Sequence, residues 1–406
     1  MAMKMASLFC GAVILLLLVA GRARAQTDSN SFILDQNFSG IAGAADVATV
    51  ENILVQYEQQ AIPQQLFPED NRGSKILGRL YRFAKTILFE NVQDVMATLV
   101  QHEVFGHGAR VREFGGEASY ELHLFPPYGS GHGVTYPSFV GTINQVTAVS
   151  IGGIEAEGLL AEELRMRSLG DGTINYRDGY VYMIERAALT TYAWQTHSLD
   201  ASGGNDIAAY IDLVGIRNPH VTLKNIQTNS LLNLLDPLTL TSLYGYFYDY
   251  LIKGDIHVVI PFLKIGGIEY LPGFRVGLTP FGYNYYLENM IVSNHNPVIA
   301  TIGIGPADLG TSEYVRLQVP AAWSPGRWQL GIELDAWHEP ALDLNSELLP
   351  SFNPAWNFGG LAIGSVTFRI TPTFGLQVEG GYKTQGFVEG EPLAASAIVQ
   401  GGIVMR

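Results

Sequence analysis

The spacing of apolar positions changes character once along the chain. Up to about residue 253 they recur every three to four positions, the period of helices packed on one side. This predicts helices from about Gly73 through ILGRLYRFAKTILF, over Asn91–Phe114 and over Ile143–Leu169. Further helices are predicted over Gly179–Gln195, Asn205–Val214 and Leu231–Lys253. Arg110 and Arg112 lie near the end of the second, where cations suit a helix C-terminus, and Gly115-Gly116 stops it. Ala118–Phe125 alternates like a strand, and Pro126–Pro137 reads as a glycine- and proline-rich loop. Near the start, Gly40, Gly43 and Ala44 weaken any helix, and Ile62–Pro68 reads as a linker.

After Gly254 the period shortens to two. FRVGLT (274–279), YVRLQV (314–319), WQLGIELDAW (328–337), VTFRIT (366–371) and FGLQVEGG (374–381) all alternate. In the third, Trp328, Leu330, Ile332 and Leu334 share one face, with Gln329, Glu333 and Asp335 on the other. With turns at Pro272-Gly273, Pro325-Gly326 and Asn353-Pro354, this predicts roughly eight to twelve antiparallel strands. The expected fold class is α+β. Residues 26–72 form an N-terminal segment and linker, 73–253 a helical metal-binding domain, and 254–406 an antiparallel β-barrel or barrel-like sheet.

Two architectures share that alternation. An outer-membrane barrel turns its apolar positions to lipid, with aromatic residues such as Tyr283, Tyr285, Trp323, Trp328 and Trp337 at the interfaces. A soluble sandwich turns them to a core on the helices. Several runs are only five or six residues long, short of the ~9–11 that spanning needs. The outer-membrane barrel is preferred and the sandwich stays open, since the N-terminus carries an export signal that suits both. Lys4 precedes the apolar Leu8–Ala20 run, and Ala23-Arg24-Ala25 forms a cleavage pattern, so residues 1–25 read as a signal peptide. The chain is thus expected to be exported, to the outer membrane or periplasm. Its only cysteine, Cys10, lies within the signal, which excludes disulfide and thiol chemistry afterwards.

Of the 406 residues, 47% are hydrophobic and 15% charged, which excludes a disordered chain. A formal net charge of -14 argues against sequence-independent nucleic-acid binding. There is no phosphate-binding glycine loop and no Gly-x-Ser-x-Gly elbow.

The candidate chemistry lies in QHEVFGHG, residues 101–108. His102 and His107 are imidazoles able to bind Zn²⁺, and Glu103 is a carboxylate able to take a proton from water. Their spacing is H-E-x-x-x-H. Positions four apart on an α-helix differ by about 40° and can share an ion, whereas positions five apart differ by about 140°. One inserted residue absorbed as a π-bulge restores the alignment, and Gly106 is where that distortion is expected.

His-Glu-x-x-Gly-His resembles the zinc helix of the dipeptidyl peptidase III family, over about a dozen residues and after a similar apolar run, VMATLV. The resemblance implies that His102 and His107 bind zinc and that Glu103 activates water against a peptide or protein substrate. It also implies a third ligand, a glutamate on a helix some fifty residues on. GGIEAEGLLAEELR offers Glu157 first and Glu155 next, with Glu163 a partial match; Gly152-Gly153 would let that helix approach the histidines. A weaker likeness is to the site-2 membrane metalloproteases, carried by VREFGGEASYELHLF (111–125), which would make Asp236 the third ligand. Set against both is a non-enzymatic outer-membrane or surface protein with a helical plug or binding module. His123, His132 and His197 read as structural or solvated, and Asn205-Asp206 as a helix cap.

Overall fold

The computed structural model describes residues 30–62, 71–199, 204–308, 310–345 and 355–405. The predicted signal peptide, most of the Ile62–Pro68 linker and the Asn353-Pro354 turn lie outside them. Within them the chain is α+β, a helical layer held against one ten-stranded antiparallel sheet. Strand β1 (Asn30–Leu34) comes from the N-terminal segment and pairs with β14 (Ser396–Met405), the last strand. The others run in sequence order from β13 (Phe374–Lys383) back through β12 (Trp356–Arg369), β11 (Trp328–Pro340), β10 (Gly310–Trp323), β9 (Asn296–Ala307) and β8 (Gly282–Ser293) to β7 (Ile268–Thr279) and the short β6 (Leu263–Ile265). β1 and β6 are the two edges, so these strands do not close on themselves.

Three expectations change. The strands β7 to β14 are 10 to 14 residues long, not five or six, because inward glycines and polar residues continue them past the obvious apolar runs. Pro272-Gly273 is not a turn but lies inside β7, paired with Asn289 and Glu288. The Gly40 region is not loose: Gly40–Ala61 forms the 22-residue helix α1, capped by Ser39. A Cβ on Gly40 would meet the Phe105 carbonyl and Leu159, so the small residues are a packing surface and not a breaker.

The sheet is amphipathic in an inverted sense. On β12 the outward positions are Phe358, Gly360, Ala362, Gly364, Val366 and Phe368; on β13 they are Phe374, Leu376, Val378, Gly380 and Tyr382. Phe358 and Val378 are each 58% exposed and Val399 on β14 is 71%. The face toward the helices is mixed: Leu271, Met290, Val292 and Ile299 of β7 to β9 pack into an apolar core with the helices, while Glu333 and Asp335 of β11 and Arg316 of β10 form ion pairs there. Glu288 of β8 accepts from Arg275 (3.0 Å) and also binds Arg165 and Arg186 of the helical layer.

In the helical layer, residues 72–113 run as one rod of α2 (Arg72–Lys85), a π-turn (Thr86–Glu90), α3 (Asn91–His102), a second π-turn (Glu103–His107) and α4 (Gly108–Glu113). The hairpin of β2 (Glu117–Leu122) and β3 (Gly133–Ser138) follows. Helix α5 (Ile143–Asp171) starts with a Thr142/Gln145 capping box and ends at Gly172, whose φ of 67° suits glycine. Helices α6 (Tyr176–Gln195), α7 (Asp206–Val214), α8 (Leu223–Ser230) and α9 (Pro237–Tyr244) complete the layer, with a π-helical extension over Gly245–Lys253. No helix among the described residues is long and apolar enough to cross a membrane.

Candidate metal centre

The extra residue of H-E-x-x-x-H is taken up as the π-turn Glu103–His107, so both imidazoles turn to the same side. Their Nε2 atoms lie 3.1 Å apart. The turn rests on α5 at glycine-to-glycine contact. A Cβ on Gly106 would lie 2.6 Å from the Gly152 carbonyl oxygen, and one on Gly153 would clash with the His102 ring. Gln101, buried beside them, donates to the carbonyls of Gly40 (3.0 Å) and Ala156 (2.9 Å), tying α1, α3 and α5 together.

Each imidazole is oriented from behind. The His107 Nδ1–H donates to the Val149 carbonyl (2.6 Å), which fixes the tautomer and leaves Nε2 for the site. His102 Nδ1 faces Glu157 Oε1 at 3.3 Å, which likewise frees its Nε2. Asp206, first residue of α7, supplies the third group: its Oδ2 lies 3.3 Å from Nε2 of each histidine. These three atoms thus form a triangle with edges of 3.1, 3.3 and 3.3 Å. Tetrahedral ligands at zinc's usual ~2.05 Å bond length lie about 3.3 Å apart. Two imidazoles and one carboxylate therefore fit Zn²⁺ in both spacing and donor type.

The electrostatics agree with a cation site. Burial opposes charge on His102, but Glu157 and then Asp206 outweigh it and push its pKa well above the imidazole range. Burial would raise Asp206, yet the two imidazoles, His107 foremost, pull its carboxyl well below the usual range. Glu185 of α6, buried beside Glu157, is driven well upward by burial and then by that neighbouring carboxylate.

Glu103 sits at the start of the π-turn, where its carboxylate Oε2 accepts from the Thr135 hydroxyl (2.6 Å) of β3. Gly133 is needed beside it, since a Cβ there would lie 2.7 Å from Glu103 Cγ. The β2–β3 hairpin thus forms one wall of the site. Across it the Tyr192 ring of α6 stacks on His102 (5.2 Å, 4°), with its hydroxyl 3.4 Å from Nε2.

The structure places the expected ligand carboxylates outside the three facing donor atoms. Glu155 does not face the histidines; it pairs with Arg110 (Nε–Oε2 3.0 Å) and accepts from the Gly390 amide (2.6 Å). Glu157 reaches His102 only from behind, at Nδ1, outside the triangle of facing donor atoms. Glu163 pairs with Arg167. Asp236 caps α9 through the Thr239 amide (3.1 Å) and accepts from Tyr182, so it serves the fold elsewhere. His123 and His132 stack at 4.5 Å on the hairpin, with His123 bound to Glu121.

Asp206 is the residue that sequence reasoning missed. Asn205-Asp206 does begin a helix, and Asn205 caps it by accepting from the Ala208 amide (2.8 Å). The cap needs only Asn205, which frees the adjacent carboxylate; the pair held that signal, but no spacing rule links it to a motif a hundred residues upstream. No protein-family model, curated protein or solved structure matches this chain.

Proposed function

We propose that the protein is an exported zinc-dependent metallohydrolase, acting on peptide bonds and set in the outer membrane through its sheet. The observation that carries the enzymatic part is the triangle of His102, His107 and Asp206 donor atoms, at tetrahedral spacing, with Glu103 next in sequence to one of them. His102, His107 and Asp206 would hold the ion. Zinc bound there supplies polarisation of a carbonyl and a lowered pKa for water. Glu103, its carboxylate steadied by Thr135, takes the proton from the water that attacks the carbonyl carbon and hands it to the amide nitrogen, which leaves as the amine when the C–N bond breaks. The Tyr192 hydroxyl, beside the His102 Nε2, donates to the carbonyl oxygen as negative charge develops on it. The likeness of HEVFGHG to the dipeptidyl peptidase III motif supports a peptide substrate.

The membrane part rests on the charge-free outward faces of β12 to β14 and on their 10 to 14 residues, enough for the ~9–11 that spanning takes. The leader-like residues 1–25 point to export.

Elemental analysis of the purified protein is expected to find about one zinc per chain, and a quenched-fluorescent peptide mixture should be cleaved. Glu103→Gln should keep the zinc and lose roughly 10²–10⁴ of the rate. Metal-free wild type, or a fully active Glu103→Gln, would sink the reading. Tyr192→Phe should also keep its zinc but lower kcat by roughly 10²–10³, with KM little changed. An unaltered kcat would remove Tyr192 from the chemistry.

A further inference from the structure

The sheet has two edges, and hydrocarbon tolerates neither, because a free row of backbone N–H and C=O groups has no water there to bond. Side chains of the helical layer reach the β1 edge and, past the short β6, the length of β7 that β6 leaves unpaired. At β1, the Ser31 amide donates to Thr49 Oγ1 (2.8 Å) and the Ile33 amide to Asp46 Oδ1 (2.7 Å), both on α1. At β7, the Val276 amide donates to Asn233 Oδ1 (2.6 Å) and the Phe274 amide to Asp236 Oδ1 (3.2 Å), in the segment that leads into α9.

Between these edges the helices touch in series. Glu58 of α1 pairs with Lys85 of α2. On α2, Arg79 Nε and Arg82 Nη2 donate to the Ile252 carbonyl (3.2 and 3.1 Å) at the end of the π-helical extension of α9. A path of helix therefore runs from one sheet edge to the other.

The outer faces of that path are bare and apolar. Leu54 and Tyr57 of α1 are 44% and 68% exposed, Leu80 and Phe83 of α2 are 58% and 54%, and Phe247 of the extension is 53%. The rod of α2 and its π-turn is not apolar all round: Arg82, Lys85 and Glu90 are buried on its inner side. One-sided apolarity suits a wall with hydrocarbon outside and buried charges inside, not a lone span. The dimensions agree. Residues 237–253 extend roughly 25 Å at the helical rise. Ten residue steps on β12, from Phe358 to Phe368, cover about 33 Å, or roughly 25 Å at the ~40° tilt of membrane strands. The exposed cations Arg72 and Lys75 lie in the first turn of α2, where a headgroup layer would take them.

We infer that α1, α2 and the α9 extension are lipid-facing and complete, with the ten strands, a mixed strand-and-helix wall around an interior of buried ion pairs and apolar core that holds the metal centre. The occupant of the bare helical faces is the acyl region of the same bilayer that meets the sheet. The inference rests on the membrane reading of the sheet, which it extends to the helices.

The test is depth-resolved quenching. With Cys10→Ser as background, a fluorophore is placed at Phe83→Cys, Phe247→Cys, Val378→Cys on the sheet, and Tyr128→Cys on the hairpin loop. Each is reconstituted in phosphatidylcholine vesicles with brominated acyl chains. Quenching at 83 and 247 is expected to match that at 378 within about twofold, with 128 unaffected. Quenching at 378 alone, or at only one of the two helical positions, overturns the mixed wall and leaves the sheet's membrane role standing. No quenching at 378 fails the membrane reading itself, and the mixed wall with it.

Discussion

Asp206→Asn is expected to give a folded protein that no longer holds zinc. The exchange keeps the shape of the side chain and leaves the Asn205 cap untouched, so α7 should still form. What it removes is the one negative charge that lies 3.3 Å from both Nε2 atoms. An amide oxygen is a poor zinc donor, and two imidazoles remain where three protein ligands are needed. Losing an orienting group behind a ligand typically costs 10–100-fold in metal affinity, so losing this ligand should cost more than about 100-fold. Glu157→Gln supplies the comparison. It weakens the acceptor behind His102 Nδ1 but leaves every facing donor in place, so its loss should stay within that 10–100-fold range. Competition with a zinc chelator measures both. If Asp206→Asn retains zinc while Glu157→Gln loses it, the third ligand is Glu157, as the motif's likeness implied, and the triangle is only a hydrogen-bonded cluster.

The reason for that discrepancy is local. His102, Glu103 and His107 were legible because they are contiguous, and one count of the helical period turned their spacing into a π-turn at Gly106. Gly152-Gly153 was legible as a close approach for the same reason. The choice between Glu155 and Glu157 was not, because residues two apart point about 200° apart, and a glycine pair does not say which side turns inward. Partners from afar decide it: Arg110 and the Gly390 amide take Glu155. Asp206 is reached only by the path of the chain through α6 and back.

The fold divides in the same way. Period-two alternation over Trp328–Trp337 gave strands and two faces, but alternation is blind to which face looks outward. The ion pairs of Glu333 and Asp335 with Arg316 turn the charged face toward the helices, and Trp328, Leu330, Ile332 and Leu334 are left on the other side. Propensity alone counts Gly40 and Gly43 as a cost to a helix; against Phe105 and Leu159 they are what lets α1 pack.

Gly106→Ala is expected to destabilise the protein although it replaces glycine inside a helix. On propensity alone the change should stabilise by roughly 1 kcal/mol. Its Cβ, however, would lie 2.6 Å from the Gly152 oxygen, 2.7 Å from Gly153 Cα and 2.9 Å from the Gly152 carbonyl carbon. All three are backbone atoms of a buried helix, so no rotamer change relieves the clash and the rod and α5 must separate. Overpacking of this kind costs about 1–3 kcal/mol net. The separation also acts on the metal, since the His102 ring lies over Gly153 and Glu157 is carried by the same helix. Zinc affinity should therefore fall with stability. Gly158→Ala is the control: it lies on α5 with nothing within 4 Å of the added carbon, so it should stabilise by roughly 0.4–1 kcal/mol. Urea unfolding with chelator present isolates the packing term, because metal then stabilises neither variant. Opposite signs for the two alanines mean that the π-turn is held by contact between two backbones; a stabilised Gly106→Ala would mean that the rod and α5 are not in contact there, and the alignment of His102 with His107 would lose its physical cause.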